Sequence, residues 1–183
     1  MLIGITGTNG AGKGAVVEYL VANKGFSRYA GRMVILEAIE ARGLTPNRTT
    51  MRDVGNELRK EHGPAYIMER LYELTKDDTH AVLESVRTVA EAEFLKEKGA
   101  FLIAVDADKQ TRYERVVSMS HDAVPLTVEQ FTEMEDREMA SSEPWDMNVF
   151  GVMQLSDARI ENNGTVEELR AKVDEAIASF KQT

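Results

Sequence analysis

The sequence predicts an α/β fold in three layers, with a mainly parallel five-stranded sheet flanked by helices. Three observations lead there. Apolar runs alternate with amphipathic segments along the chain, a glycine-rich loop joins the first such run to a helix, and Val166, Leu169, Val173, Ile177 and Phe180 form one stripe near the end. With 183 residues, 43% of them apolar, the chain has enough material for the core of one domain spanning residues 1–183.

Residues 1–6 read as the first strand and residues 13–23 as the helix after the loop. A short strand at 26–29 is followed by a helix at 33–41, which stops at Gly43 ahead of Pro46. Helices at 50–61 and 64–74 come next; the second opens at Pro64, whose missing N–H is harmless in a first turn. The segment 80–85 reads as a strand, and Thr88 with Glu91 has the spacing at which both side chains satisfy free amides at a helix start. The strongest strand signal after the first lies at 100–107. Helices at 109–119 and 127–139 follow, the latter opened by Thr127 and Gln130, with a polar turn at 120–126 containing Pro125. A last strand at 158–161 leads to a helix capped by Thr165 and Glu168. There is no internal repeat, low-complexity tract or linker.

Composition narrows the function. Without cysteine there is neither a disulfide framework nor a thiolate site, which fits a reducing cytoplasm. His62, His80 and His121 lack metal-cluster spacing, and the methionines read as core filler. A formal charge of −9 repels polyanions, so phosphate must be held by a local cluster of donors, and nucleic acid is not an expected partner. Met1 leads directly into a strand and no run of 18 apolar residues occurs, so a soluble, unprocessed chain without a membrane partner is expected.

The most specific signal is Gly7-Thr8-Asn9-Gly10-Ala11-Gly12-Lys13-Gly14, set between a buried-strand pattern and a helix. Glycines let the backbone curl so that successive amides point inward, the helix adds its positive end, and Lys13 reaches the β- and γ-phosphates. Gly14 stands where a magnesium-ligating Ser or Thr is usual, and Ala15 follows it. Gly-Lys-Gly resembles the loop of adenylate kinase and related nucleoside monophosphate kinases, in which a threonine usually comes next.

The likeness to that superfamily, closest to adenylate-kinase-related proteins of the dephospho-CoA-kinase-like kind, can be followed along nearly the whole chain. It implies a P-loop kinase fold with a helical acceptor-binding insertion at about 32–78 and a short lid at about 112–139. His80-Ala81-Val82-Leu83-Glu84-Ser85-Val86-Arg87 resembles the family strand that ends in an acid and an arginine. The resemblance gives Glu84 the water-mediated magnesium role, in preference to Asp106, and Arg87 the grip on the acceptor. Arg52, Asn56 and Arg59 share one helix face and are candidates to line the acceptor cleft. Ile35 stands where the family carries another acceptor arginine, and Arg32 is the substitute. Arg112, Arg115 and Arg137 look like lid arginines that converge on the transferring group; ion pairs with Glu114, Asp136 or Glu138 are their structural alternative. The turn at Asn163, Gly164 and Thr165 resembles the border of the adenine site.

The resemblance implies a cytoplasmic monomer or homodimer that uses ATP and magnesium to phosphorylate a nucleoside or deoxynucleoside monophosphate. Its partners are then small-molecule nucleotides. Two alternatives remain: dephospho-CoA phosphorylation, which needs an acid acting as base, and slow ATP hydrolysis in a nucleotide-dependent switch. Ala15 and the lack of a further arginine at 116–120 favour the switch.

Overall fold

The computed structural model describes residues 1–119 and 126–180. From the amino terminus come β1 (Leu2–Gly7), α1 (Lys13–Lys24), β2 (Ser27–Ala30), α2 (Gly31–Ala41), α3 (Arg48–His62) and α4 (Tyr66–Leu74). Then follow β3 (Ala81–Glu84), α5 (Val89–Glu97), β4 (Phe101–Asp106), α6 (Lys109–Met119), α7 (Val128–Met139), α8 (Val149–Gln154), β5 (Ala158–Glu161) and α9 (Val166–Phe180).

The strands form one sheet in the order β2-β3-β1-β4-β5, and every pairing is parallel. The two strands with the longest apolar runs take the middle, where both faces are covered; β2 and β5 are edges and partly exposed. Alternation then divides the core. Ile3, Ile5, Ile103 and Val105 pack against Val17 and Leu20 of α1 and Leu169 and Val173 of α9. On the other face Leu83 and Leu102 meet Ile67 and Leu71 of α4 and Leu95 of α5. The register pairs Ile5 with both Glu84 and Ile103, and Gly7 with Val105, so the carboxyl ends of β1, β3 and β4 share one rim. Ligand sites of open parallel sheets form on that rim.

A smaller core of Ile39, Val54 and Leu58 joins α2 to α3 beside this rim. Helix α3 starts earlier than its apolar period suggests because the Asn47 side chain accepts a hydrogen bond from the Thr50 amide at 3.0 Å and caps it. Both Thr88 with Glu91 and Thr127 with Gln130 close reciprocal capping boxes, as their spacing predicts. Helix α4 begins two residues later than expected, at Tyr66 rather than Pro64. The six-residue α8 was not expected from periodicity; Asn148 caps it by accepting from the Gly151 amide at 2.8 Å. Residues 120–125, which hold most of the expected polar turn and His121, lie outside the described residues.

Candidate active site

The glycine-rich loop leaves β1 and enters α1 with Gly7, Gly10 and Gly12 all at positive φ, a conformation that turns successive amides to one side. At Gly12 close approach matters as well, since a Cβ there would collide with the Asn162 side-chain amide. The loop is fastened from behind. Thr8 Oγ1 donates to Asp106 Oδ1 at 2.6 Å from the end of β4, and Asn162 Nδ2 donates to the Ala11 carbonyl at 2.8 Å from the end of β5. Lys13 folds back over the loop, its Nζ donating to the carbonyls of Gly7 at 3.0 Å and Thr8 at 2.7 Å. Burial, aided by the Arg87 charge, holds the Lys13 ammonium far below its ordinary 10.5, at about 7, although Glu138 and Glu84 oppose the shift. Lys13 therefore lies within the field of two arginines, Arg87 and Arg112, and two carboxylates.

Beside the loop opens a cavity of about 560 Å³ that runs from Asn9 towards α2, α3 and α7. Arg32, Arg48, Arg52, Arg59, Arg87 and Arg137 line it, against three carboxylates, in a chain whose net charge is −9. Such a local excess of guanidinium groups selects an anion where the surface as a whole does not. Arg59 is 2% exposed, and its Nε donates to Glu91 Oε1 at 2.7 Å. The other Glu91 oxygen accepts from the amides of Arg87 at 2.7 Å and Thr88 at 3.2 Å, so one buried carboxylate positions both arginines. Arg59 Nη1 has no hydrogen-bond partner among the described residues although it is buried at the cavity wall. Burial and neighbouring Arg59 lower the Arg87 value, opposed by Glu138 and Glu91.

The carboxylate of Glu138, on α7, reaches the junction of loop and cavity. It accepts from Asn9 Nδ2 at 2.8 Å and Arg48 Nη2 at 2.7 Å and lies 3.7 Å from Arg87 Nη1. Burial pushes its carboxyl group upward, but Arg87, Arg48 and Asn9 outweigh that and hold it below the usual carboxylate range. A few residues on, Asp146 accepts from Asn56 Nδ2 at 2.8 Å and pairs with Arg52 at 3.2 Å.

The residues singled out in the sequence thus fall into groups. Gly7 to Gly14 form the loop, with Ala15 in the first turn of α1. Arg32, Arg52, Arg59, Arg87 and Arg137 share the cavity, whereas Asn56 is turned to Asp146 beside it. Glu84 pairs with Arg28 at 2.7 Å, and Asp106 is engaged by Thr8 and by Arg159 at 2.8 Å. Arg112 and Arg115 do not stand with Arg137: Arg112 forms a buried ion pair with Glu135 and bonds the Ala107 carbonyl at 2.8 Å, while Arg115 bonds the Asn162 carbonyl at 3.0 Å. Both brace the back of the loop, with contacts of 3.5 Å to the carbonyls of Asn9 and Gly10. Asn163 accepts from the Asp108 amide at 2.8 Å, and Thr165 with Glu168 caps α9. Sequence reasoning missed Arg48, Glu91, Asp146 and Asn162 as site residues and weighed Glu138 only as an ion-pair partner. For Asn162 a signal existed, its place immediately after an expected strand.

Among the described residues no group of three or more His, Asp or Glu is placed to hold a metal ion by itself, and no helix is long and apolar enough to cross a membrane.

Comparison with known proteins adds four likenesses. A family model described as an AAA domain matches residues 3–139. A UPF0200 protein of Aeropyrum pernix is 29% identical over 171 residues, covering 92% of this chain and 88% of its own. The shikimate kinase of Acinetobacter baumannii, solved with shikimate, superposes with a TM-score of 0.61 at 18% identity over 100% of this chain and 95% of its own. A gluconokinase of Sinorhizobium meliloti superposes equally well, with a TM-score of 0.61 at 12% identity over 98% and 93%.

Proposed function

The chain belongs to the AAA domain family and has the fold of the P-loop kinases, and from that premise we propose that it is an ATP-dependent kinase acting on a nucleoside or deoxynucleoside monophosphate. ADP and a nucleoside diphosphate are the products. One observation carries the proposal: a cavity lined by six arginines opens directly beside the phosphate loop, so a phosphate-bearing acceptor and a triphosphate can meet at Asn9. The names of the shikimate kinase and gluconokinase that share the fold point the same way as to reaction type, a small acceptor receiving a phosphoryl group.

In this mechanism the loop amides and Lys13 hold the β- and γ-phosphates, with Arg112 and Arg115 stiffening the loop from behind. Asn163, Gly164 and Thr165 border the base. Residues of about 32–78 supply the acceptor wall, where Arg59, Arg52 and Arg32 grip the monophosphate together with Arg87 from beyond β3, and a lid of about 112–139 brings Arg137 over the reaction. Transfer through a loose transition state requires alignment and charge neutralisation above all, which these groups provide. A phosphate oxyanion as nucleophile needs no base. Magnesium is compatible with the residues present because a single carboxylate plus phosphate oxygens and water suffices for it, and Glu84, near Lys13, is the carboxylate to hold its water. When bound, the ion neutralises charge on the phosphates.

The test is ADP release measured over ribo- and deoxynucleoside monophosphates and dephospho-CoA. Stimulation by one class of monophosphate is expected, with Lys13→Ala abolishing it in a folded protein and Arg87→Ala chiefly raising the acceptor KM. Stimulation only by dephospho-CoA, or by no acceptor, would replace this assignment.

A further inference from the structure

Glu138 is the group that the proposed reaction leaves without a task. Three donors from separate parts of the chain converge on it: Asn9 from the phosphate loop, Arg48 from the start of α3 and Arg87 from beyond β3. Its side chain is 13% exposed and sits between the loop and the arginine-lined cavity. An ion pair whose only purpose was to anchor α7 would need one of these partners. Two guanidinium groups, an amide and a nearby lysine ammonium are instead the donor set that a phosphoryl group's oxygens attract. At 3.7 Å from the carboxylate, Arg87 Nη1 stands beyond hydrogen-bond distance, so a larger anion would draw it in.

We propose that Asn9, Arg48 and Arg87 form a seat for a phosphoryl group of the bound nucleotides, and that Glu138 of the chain's own α7 fills this seat when the site is empty. The assignment rests on the nucleotide-kinase reading above. A carboxylate and a phosphoryl dianion cannot share one set of donors, because like charges in a partly buried site repel strongly. Nucleotide binding therefore expels Glu138 and moves the carboxyl end of α7.

That movement has a path to the acceptor wall. The segment 140–148 follows α7 directly, and within it Asp146 holds Arg52 and Asn56 while the Asn148 amide donates to the Arg87 carbonyl at 2.8 Å. Expulsion of Glu138 pulls on this strap and releases Arg52 for the acceptor. The chain's single tryptophan, Trp145, lies in the strap with Lys60 of α3 stacked 5.4 Å from its ring centre, and so reports the motion. Glu138 thus excludes weak, singly charged anions and couples donor binding to acceptor binding.

The experiment compares wild type with Glu138→Gln, which keeps the shape and removes the charge, by calorimetric titration with inorganic phosphate and with MgATP. The variant is expected to bind both about tenfold more tightly or better. Equal dissociation constants for the two proteins would overturn the proposal while leaving the kinase reading intact. If neither protein binds MgATP, the phosphate loop itself is misread; if turnover is lost in the variant with phosphate affinity unchanged, Glu138 is a base for a hydroxyl acceptor and the seat is wrong. Should Glu138→Gln not fold, wild type suffices: saturating MgATP is expected to increase acrylamide quenching of Trp145, and unchanged quenching with ATP bound would overturn the seat.

Discussion

At the scale of single residues, Lys13 and Arg59 show how burial prepares charge for a ligand. Lys13 has its pKa held at about 7 in the empty protein, chiefly by burial, and phosphates around it favour the ammonium form. Binding must then take up a proton above pH 7. Titration with MgATP at pH 8 in buffers of different ionisation enthalpy is expected to show uptake approaching about one proton, and affinity is expected to fall as pH rises from 7. For stability the sign is opposite: an unfolded lysine keeps its proton up to about 10.5 while the folded one loses it near 7, so the fold gains stability across that interval as pH rises. Among the described residues Arg59 has Glu91 alone for charge compensation, at 2.7 Å, with both side chains almost wholly buried. Glu91→Gln leaves that guanidinium unpaired, and urea denaturation is expected to register a loss of about 3–5 kcal/mol. Neither Glu91 nor Glu138 was legible as a site residue in the sequence, because their partners lie far off along the chain: Arg59 is 32 residues from Glu91, and Asn9 is 129 from Glu138. The phosphate loop was legible because eight consecutive residues carry it.

Elements were easier to read than contacts. The five strands and most helices follow from apolar period and capping pairs, both of which are local properties, and Thr127 with Gln130 closes the box that its spacing foretells. What was lost is equally physical. Helix α8 spans fewer than two turns, too short for a period to register, and the start of α3 depends on Asn47, an asparagine that reads equally well as a turn residue. Arg112 was grouped with the lid arginines by its position on α6, yet the side chain turns inward to Glu135 and the Ala107 carbonyl. The box at Thr127 has a testable weight. Thr127→Ala removes the acceptor for the Gln130 amide and is expected to cost about 1 kcal/mol in urea denaturation. Because that helix carries Arg137 and Glu138, the acceptor KM in the ADP-release assay is expected to rise with it.

For the whole molecule the proposed nucleotide affinity and stability are linked, since the loop proposed to hold phosphate is fastened to the ends of β4 and β5 through Asp106 and Asn162. MgATP that binds the folded form alone, supplied at 100 times its dissociation constant, is expected to add about 2.7 kcal/mol and to raise the melting temperature; inorganic phosphate, a weaker ligand, raises it less at the same concentration. An unmoved melting temperature with MgATP would deny binding. The order of the strands carries one more implication, for synthesis. β1 is made before both of its sheet neighbours, which begin at Ala81 and Phe101, and the loop's tether at Asn162 is made later still. A nascent chain thus carries an unsatisfied apolar strand until those neighbours emerge, and shielding by a chaperone in that interval matters most for the very segment that leads into the glycine-rich loop.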